Sequence, residues 1–152
     1  MSISLVMIPI VIAVSVAIKE TAFDQLKKYE GEAHKLQPMQ TVFNDVNLLT
    51  KTLSEHGLPV NVISENKIHV KSGKYELLYS RSSQSEPFTV KTLGWENADK
   101  LLHDIECLDK EYKVNVQSYS YEKLVQNLSE SNMVIESETI LEDNSILLTI
   151  SV

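Results

Sequence analysis

The sequence contains one cysteine, one arginine and four glycines. Cys107 has no second cysteine with which to form an internal disulfide, and a lone thiol is typical of a reducing compartment. Basic residues are also few, since 14 Lys and Arg compare with 21 Asp and Glu, for a net charge of −7. Such a chain repels nucleic-acid phosphates, which argues against general DNA or RNA binding.

Motifs that carry chemistry are also missing: the sequence has no phosphate-binding loop, metal-ligand spacing or nucleophile constellation. The four histidines, His34, His56, His69 and His103, fall on separate predicted elements. His103 and Cys107 lie four apart on a predicted helix and share a face, but a metal site needs further ligands. A free cysteine on a helix is usually a small buried hydrophobe. We therefore expect no metal, no cofactor and no catalytic residue.

What the chain does have is an uncharged apolar run at its N-terminus, Ile3–Ile18. It predicts a transmembrane helix over residues 1–18, although a full crossing needs about 20 residues. Two alternatives are a signal peptide cleaved at Ala17, which lacks the usual basic start, and a buried strand or helix of the globular domain. The apolar side chains of the predicted anchor are Ile3, Leu5, Val6, Ile8, Ile10, Val11, Ile12, Val14, Val16 and Ile18.

Lysines set the predicted orientation of this anchor. None precedes the apolar run, whereas Lys19, Lys27, Lys28 and Lys35 follow it. By the positive-inside rule, this asymmetry predicts a single-pass membrane protein whose C-terminal domain is cytoplasmic. Residues 19–38 predict a juxtamembrane helix or linker that ends at Pro38, and residues 39–152 form the following domain.

Residues 39–152 predict a single small α+β domain, in which two to three helices pack on an antiparallel sheet of about six strands. Asp45 is the expected cap of a helix stopped by Gly57, and Asn97 caps another. A further helix begins at Tyr119, and the tyrosines are expected at the edge of the core. The predicted strands are 40–44, 60–63, 67–71, 75–80, 88–93, 133–140 and 146–152.

The terminal hairpin carries the carboxylates Glu136, Glu138, Glu142 and Asp143. Alternation along a strand predicts that Glu136 and Glu138 share one face, opposite Ile135. A solvated outer face is the simplest explanation, and a docking surface for a basic partner is the functional one. Acid–base catalysis is a third use of paired carboxylates.

Three stretches of the last third resemble one known family: Tyr119-Ser-Tyr-Glu-Lys-Leu-Val, Met133-Val-Ile-Glu-Ser-Glu and Glu142-Asp-Asn-Ser-Ile-Leu-Leu. They are similar to the closing segment of the hypothetical chloroplast open reading frame thirty-five family, a domain of unknown function. The resemblance extends over about Thr41–Val152. Similar proteins tend to be encoded beside AAA-class ATPases, so the resemblance implies an accessory role and no catalytic residue.

Two functional hypotheses follow. The first is a membrane-tethered, non-catalytic interaction module that recruits or regulates a protein partner, such as an AAA-class ATPase, through the acidic hairpin. The second is an enzyme or small-ligand-binding domain with a site assembled from distant residues, such as His69, Trp95, His103 and Tyr119. Export after cleavage at Ala17 is a third alternative.

Overall fold

The computed structural model describes residues 2–7, 24–29, 31–143 and 145–151, and the α+β class is confirmed. The strands are β1 (Ser2–Met7), β2 (Met39–Gln40), β3 (Val60–Ser64), β4 (Lys67–Lys71), β5 (Tyr75–Ser80), β6 (Thr89–Trp95), β7 (Val134–Ile140) and β8 (Ile146–Ser151). The helices are α1 (Val46–Glu55) and α2 (Ala98–Glu130), with a helical segment at 24–28 and a 3-10 turn at Ala33–Lys35. The chain divides into two compact units, Ile12–Tyr112 and Met1–Val11 with Lys113–Val152.

The unit Ile12–Tyr112 contains an antiparallel sheet of five strands in the order β2-β6-β5-β4-β3. Strand β5 shows why this sheet forms: Tyr75, Leu77 and Tyr79 alternate with polar or less buried residues and are themselves buried. Among the described residues of this unit, the buried apolar side chains are Leu26, Leu36, Phe43, Leu49, Leu53, Ile68, Val70, Tyr75, Leu77, Tyr79, Phe88, Val90, Leu101, Leu108 and Tyr112.

Helix α1 begins and ends at the residues that the sequence predicts. The Asp45 carboxylate accepts hydrogen bonds from the backbone N–H groups of Asn47 (2.8 Å) and Leu48 (2.9 Å), which satisfies two donors of the first turn. Gly57 follows the helix at a φ of 84°, in the left-handed region that favours glycine. The expected cap and stop are both confirmed.

The second unit contains a three-stranded antiparallel sheet in the order β1-β8-β7. Ser2 pairs with Ser151 and Met7 with Ile146, so β1 runs along the whole of β8. Leu148 and Ile150 of the central strand are buried, as is Leu128 in the last part of α2. The predicted single sheet is therefore two sheets.

The N-terminus differs most from the sequence-based prediction. Residues 2–7 form a strand, so a helical anchor is wrong for Ile3, Leu5 and Val6. The side chains of Ile3 and Leu5 are 47% and 38% exposed. Within the described ranges, no helix combines the length and apolar character needed to cross a membrane. The other predicted anchor residues, Ile8, Ile10, Val11, Ile12, Val14, Val16 and Ile18, lie outside the described residues.

The segment predicted as a helix or linker over residues 19–38 is helical at 24–28 and has a 3-10 turn at Ala33–Lys35, while residues 19–23 and 30 lie outside the described part. One helix prediction needs correction. The two helices expected after Asn97 and from Tyr119 are one helix, α2, of 33 residues. Asn97 caps it as expected, since its side-chain oxygen accepts from the N–H of Lys100 at 3.1 Å.

Candidate functional site

The hairpin of β7 and β8, which we call the acidic hairpin, holds all four predicted contact residues. Its turn is closed by the N–H of Leu141, which donates to the carbonyl of Ser145 at 2.9 Å. Asp143 accepts hydrogen bonds from the hydroxyl and the backbone N–H of Ser145, the latter at 2.9 Å. These bonds hold the pKa of Asp143 below its usual range. The Asp143 carboxylate therefore stays ionised while it shapes the turn.

Strand β7 is an edge of its sheet, and six of its seven residues are exposed. Its apolar end residues, Val134 and Ile140, are 63% and 68% exposed. The pairing with β8 shifts between Ile135 and Ser137, which leaves Glu136 as the extra residue of a β-bulge. The edge thus has acidic residues between two exposed apolar ends.

The bulge changes which faces the glutamates occupy. Ile135 pairs with Ile150, and Glu138 pairs with Leu148. Paired residues of antiparallel strands project to the same face, and Leu148 and Ile150 are two apart on one strand. Glu138 therefore shares a face with Ile135, and the prediction that they lie on opposite faces is wrong.

Each strand glutamate is held by a neighbouring element of the same unit. The hydroxyl of Tyr121 in α2 donates to Glu138 Oε2 at 2.6 Å, and this bond raises the pKa of Tyr121. The hydroxyl of Ser2 in β1 donates to Glu136 Oε2 at 3.0 Å. A carboxylate accepts about four hydrogen bonds, so both groups keep capacity for a further donor. Glu142 is exposed in the turn.

A second polar cluster, which sequence reasoning missed, lies in the unit Ile12–Tyr112. His56 Nδ1 is 3.1 Å from both carboxylate oxygens of Glu111, and His56 Nε2 is 3.9 Å from Asp104 Oδ1. The hydroxyl of Tyr75 donates to Asp104 Oδ2 at 3.0 Å. Burial first, and then the bond to Asp104, raises the pKa of Tyr75. Tyr75 therefore stays protonated at neutral pH, and the cluster joins β5, the end of α1 and α2.

The residues of the alternative enzyme hypothesis have separate partners. His69 Nε2 lies 2.6 Å from Glu76 Oε1 on the neighbouring strand, and His103 Nε2 lies 3.7 Å from Cys107 Sγ on its own helix. Trp95 pairs with Tyr75 across β6 and β5. Tyr119 is exposed in the other unit, beside Lys123. His69 and His103 thus contact different neighbours, and no group of three His, Cys, Asp or Glu in the described ranges is arranged to hold a metal ion.

Three tyrosines and the single arginine of the unit Ile12–Tyr112 serve the fold. Tyr75, Tyr79 and Tyr112 are buried rather than placed at the edge of the core. Arg81 donates to the carbonyl of Asn44 at 2.7 Å and to that of Glu65 at 2.9 Å. Its guanidinium also stacks on Phe88, 4.3 Å from the ring centroid. These side chains are engaged within the core and its loops.

The acidic hairpin is therefore the strongest candidate surface, and comparison with known proteins adds nothing to it. No family model, curated protein or solved structure matches this chain.

Proposed function

We propose that this protein is a non-catalytic interaction module that binds a basic segment of a partner protein through the acidic hairpin. The observation that carries the proposal is the exposed edge strand β7, on which Glu136 and Glu138 are held in place by Ser2 and Tyr121. Residues 134–151 contain four carboxylates and no lysine or arginine. The surface therefore has one sign of charge.

Charge and shape favour the same kind of partner. Carboxylates that lie on one edge attract a basic segment and discourage acidic ones, and such complementarity governs specificity and association rate. The exposed side chains of Val134 and Ile140 add apolar area at both ends of the edge. A partner segment that combines lysine or arginine with aliphatic residues matches both features.

The membrane tether and the ATPase partner extend this proposal. An AAA-class ATPase, which the family resemblance implies, is the first partner to test. The tether and the cytoplasmic location are proposed from the sequence alone, that is, from the apolar residues 8–18 that follow β1 and from the lysines after them. Binding by the hairpin needs neither, because its carboxylates lie in β7 and in the turn that follows it, and their partners Ser2 and Tyr121 lie in β1 and α2.

A defined peptide tests the proposal directly. The basic peptide is acetylated Thr-Lys-Thr-Val-Thr-Lys-Thr-Val-Thr, and its acidic counterpart has glutamate in place of lysine. We expect the full chain to bind the basic peptide in a fluorescence anisotropy titration and not to bind the acidic one. Affinity should fall as salt is raised, because salt screens exposed charges.

Two charge-reversal variants decide whether the hairpin is responsible. The first changes Glu136, Glu138, Glu142 and Asp143 to lysine, and it should abolish peptide binding. The matched control has the same change in net charge at four exposed glutamates outside the hairpin, Glu86, Glu96, Glu122 and Glu130, and should still bind. Equal loss in both variants, or in neither, would overturn the proposal. Circular dichroism confirms that each variant is folded.

The ATPase partner is tested separately by co-purification from membranes of cells that express the chain at native level. A stoichiometric ATPase that is recovered with the control variant and lost with the hairpin variant supports that partner. Recovery of the ATPase with both variants would contradict its assignment to the hairpin.

A further inference from the structure

We infer that the partner's basic segment binds as an added β-strand along the free edge of β7. This inference rests on the proposed function and specifies how binding occurs. Strand β7 pairs with β8 on one side only, and no other strand of the described ranges pairs with it. The outward N–H and C=O groups of an edge strand are a template for an extended peptide.

The regular part of β7 sets the register of the added strand. After the bulge, the residues Ser137–Ile140 pair without interruption with Thr149–Ile146 of β8. Glu138 and Ile140 are two apart on this part, so they project to one face. An added strand that places a basic residue beside Glu138 places its next residue on that face beside Ile140. The partner motif is thus a basic and an aliphatic residue separated by one position.

Tyr121 fixes the position of the Glu138 carboxylate at this edge. Its hydroxyl holds one oxygen of Glu138 at 2.6 Å, which fixes the carboxylate at the edge before any partner arrives. Cross-strand neighbours approach to about 5 Å between their Cβ atoms, a distance that a lysine or arginine side chain spans easily. The backbone of the partner then supplies affinity, while the pair with Glu138 supplies specificity.

The same edge disfavours a second copy of this chain. Two β7 strands that pair with each other bring Glu136 and Glu138 of one copy close to those of the other, and like charges on neighbouring strands are destabilising. The bulge at Glu136 further disturbs self-pairing. These features select a basic partner of different sequence.

Edge strand β3 of the other sheet is a built-in comparison. Val62 and Ile63 are 47% and 55% exposed, and Val60–Ser64 contains no charged residue. If the peptide bound to any free strand edge whatever its charge, β3 would bind it as readily as β7. Selection by charge predicts binding at β7 alone.

The experiment uses the basic peptide and two derivatives with N-methylated backbones. One carries N-methyl groups on its lysine and valine residues, and the other carries them on its threonines. Successive N–H groups of a strand point to opposite sides, so each derivative blocks one edge of the peptide. We expect one derivative to bind at least about tenfold more weakly than the unmodified peptide, because about two backbone hydrogen bonds are lost.

Amide hydrogen exchange of the full chain locates the binding edge. Addition of the unmodified peptide should slow exchange at alternate amides of Ser137–Ile140 and leave Val60–Ser64 unchanged. The milder variant Glu138→Gln keeps the fold and should weaken binding several-fold. Protection at Val60–Ser64 in place of β7 would overturn the inference.

The outcomes separate the two proposals. If both N-methylated peptides bind as tightly as the parent and the lysine variant of the hairpin still abolishes binding, the added strand is wrong and the proposed function stands. If the lysine variant of the hairpin binds the peptide as tightly as the unchanged chain does, the proposed function fails and the inference fails with it.

Discussion

The Tyr112 hydroxyl and Asn44 bind each other twice. The hydroxyl donates to Asn44 Oδ1 at 3.0 Å and accepts from the Asn44 backbone N–H at 3.1 Å. It also accepts from the N–H of Asp45 at 3.2 Å, so it holds the two residues that lead into helix α1. The Tyr112 ring packs against Phe43, with 4.7 Å between ring centroids. One buried side chain thus fixes the start of α1 by polar and apolar contacts.

Removal of this hydroxyl should destabilise the fold. Tyr112→Phe keeps the ring but removes the hydroxyl, so the backbone N–H groups of Asn44 and Asp45 and the side-chain oxygen of Asn44 lose their partner. We expect a loss of about 1–3 kcal/mol in the free energy of unfolding, measured by chemical denaturation. Tyr119→Phe, at an exposed tyrosine, is the control and should change stability by less than about 0.5 kcal/mol. Equal effects of the two changes would contradict the role of Tyr112.

Two glycines with equal space but different backbones allow a matched test of the α1 stop. A Cβ atom would meet nothing within 4 Å at either Gly57 or Gly73, but only Gly57 has a positive φ, 84°. Gly57→Ala should therefore cost about 1–2 kcal/mol from backbone strain. Gly73→Ala should be neutral or stabilise by up to about 1 kcal/mol, because it restricts the unfolded chain. Thermal unfolding of both variants checks this difference in sign.

The buried tyrosines predict a loss of stability at high pH. Burial raises the pKa of Tyr75 and of Tyr79 above the usual 10.0. A raised pKa means that their contribution is complete below pH 10.0 and is lost as the pH rises towards the folded-state value. The absorbance of tyrosinate during an alkaline titration should show these two residues ionising only as the chain unfolds. Ionisation of all six tyrosines in the folded chain would refute this expectation.

The turn of the acidic hairpin predicts an opposite dependence at low pH. The bonds from Ser145 lower the pKa of Asp143 below its usual 3.8, so its contribution is present above that pH and is lost as the pH falls through the folded value. Asp143→Asn should destabilise the chain at neutral pH and have no effect in strong acid. Denaturation curves at both pH values provide the measurement. Glu142→Gln, at the exposed neighbour, should show no such difference.

Turn residues, cap residues and short alternating runs predict the elements whose bounds depend only on neighbouring residues. The bounds of β4 and β5 agree with the predicted strands, because turn residues flank each alternating run. Asp45 and Asn97 were predicted as caps for the same reason, since a cap needs only its own side chain and the next turn. These elements need no knowledge of distant residues.

Long-range pairing explains the larger errors. Ser2 and Ser4 alternate with Ile3 and Leu5, which is the period of a strand, but the apolar run that follows outweighs it in a hydropathy argument. The partner of β1 is β8, at the other end of the sequence. The sequence predicts two helices where the structure has one, α2, although residues 98–130 contain no glycine or proline to break it.

The candidate site was predictable in composition but not in geometry. The four carboxylates are visible in the sequence, whereas the bulge that brings Glu138 to the face of Ile135 depends on register with β8. The cluster around His56 has no local signal, because its members come from α1, β5 and α2.

The pairing of β1 with β8 also bears on synthesis at the ribosome. Strands β2 to β6 emerge in one block and complete their sheet among themselves. Strand β1 precedes this block in the chain, yet its partner β8 follows it. Since domains generally fold as the chain emerges from the ribosome, β1 stays without its partner until the whole block between them has been translated. During that time Ile3 and Leu5 are open to chaperones that recognise extended apolar segments.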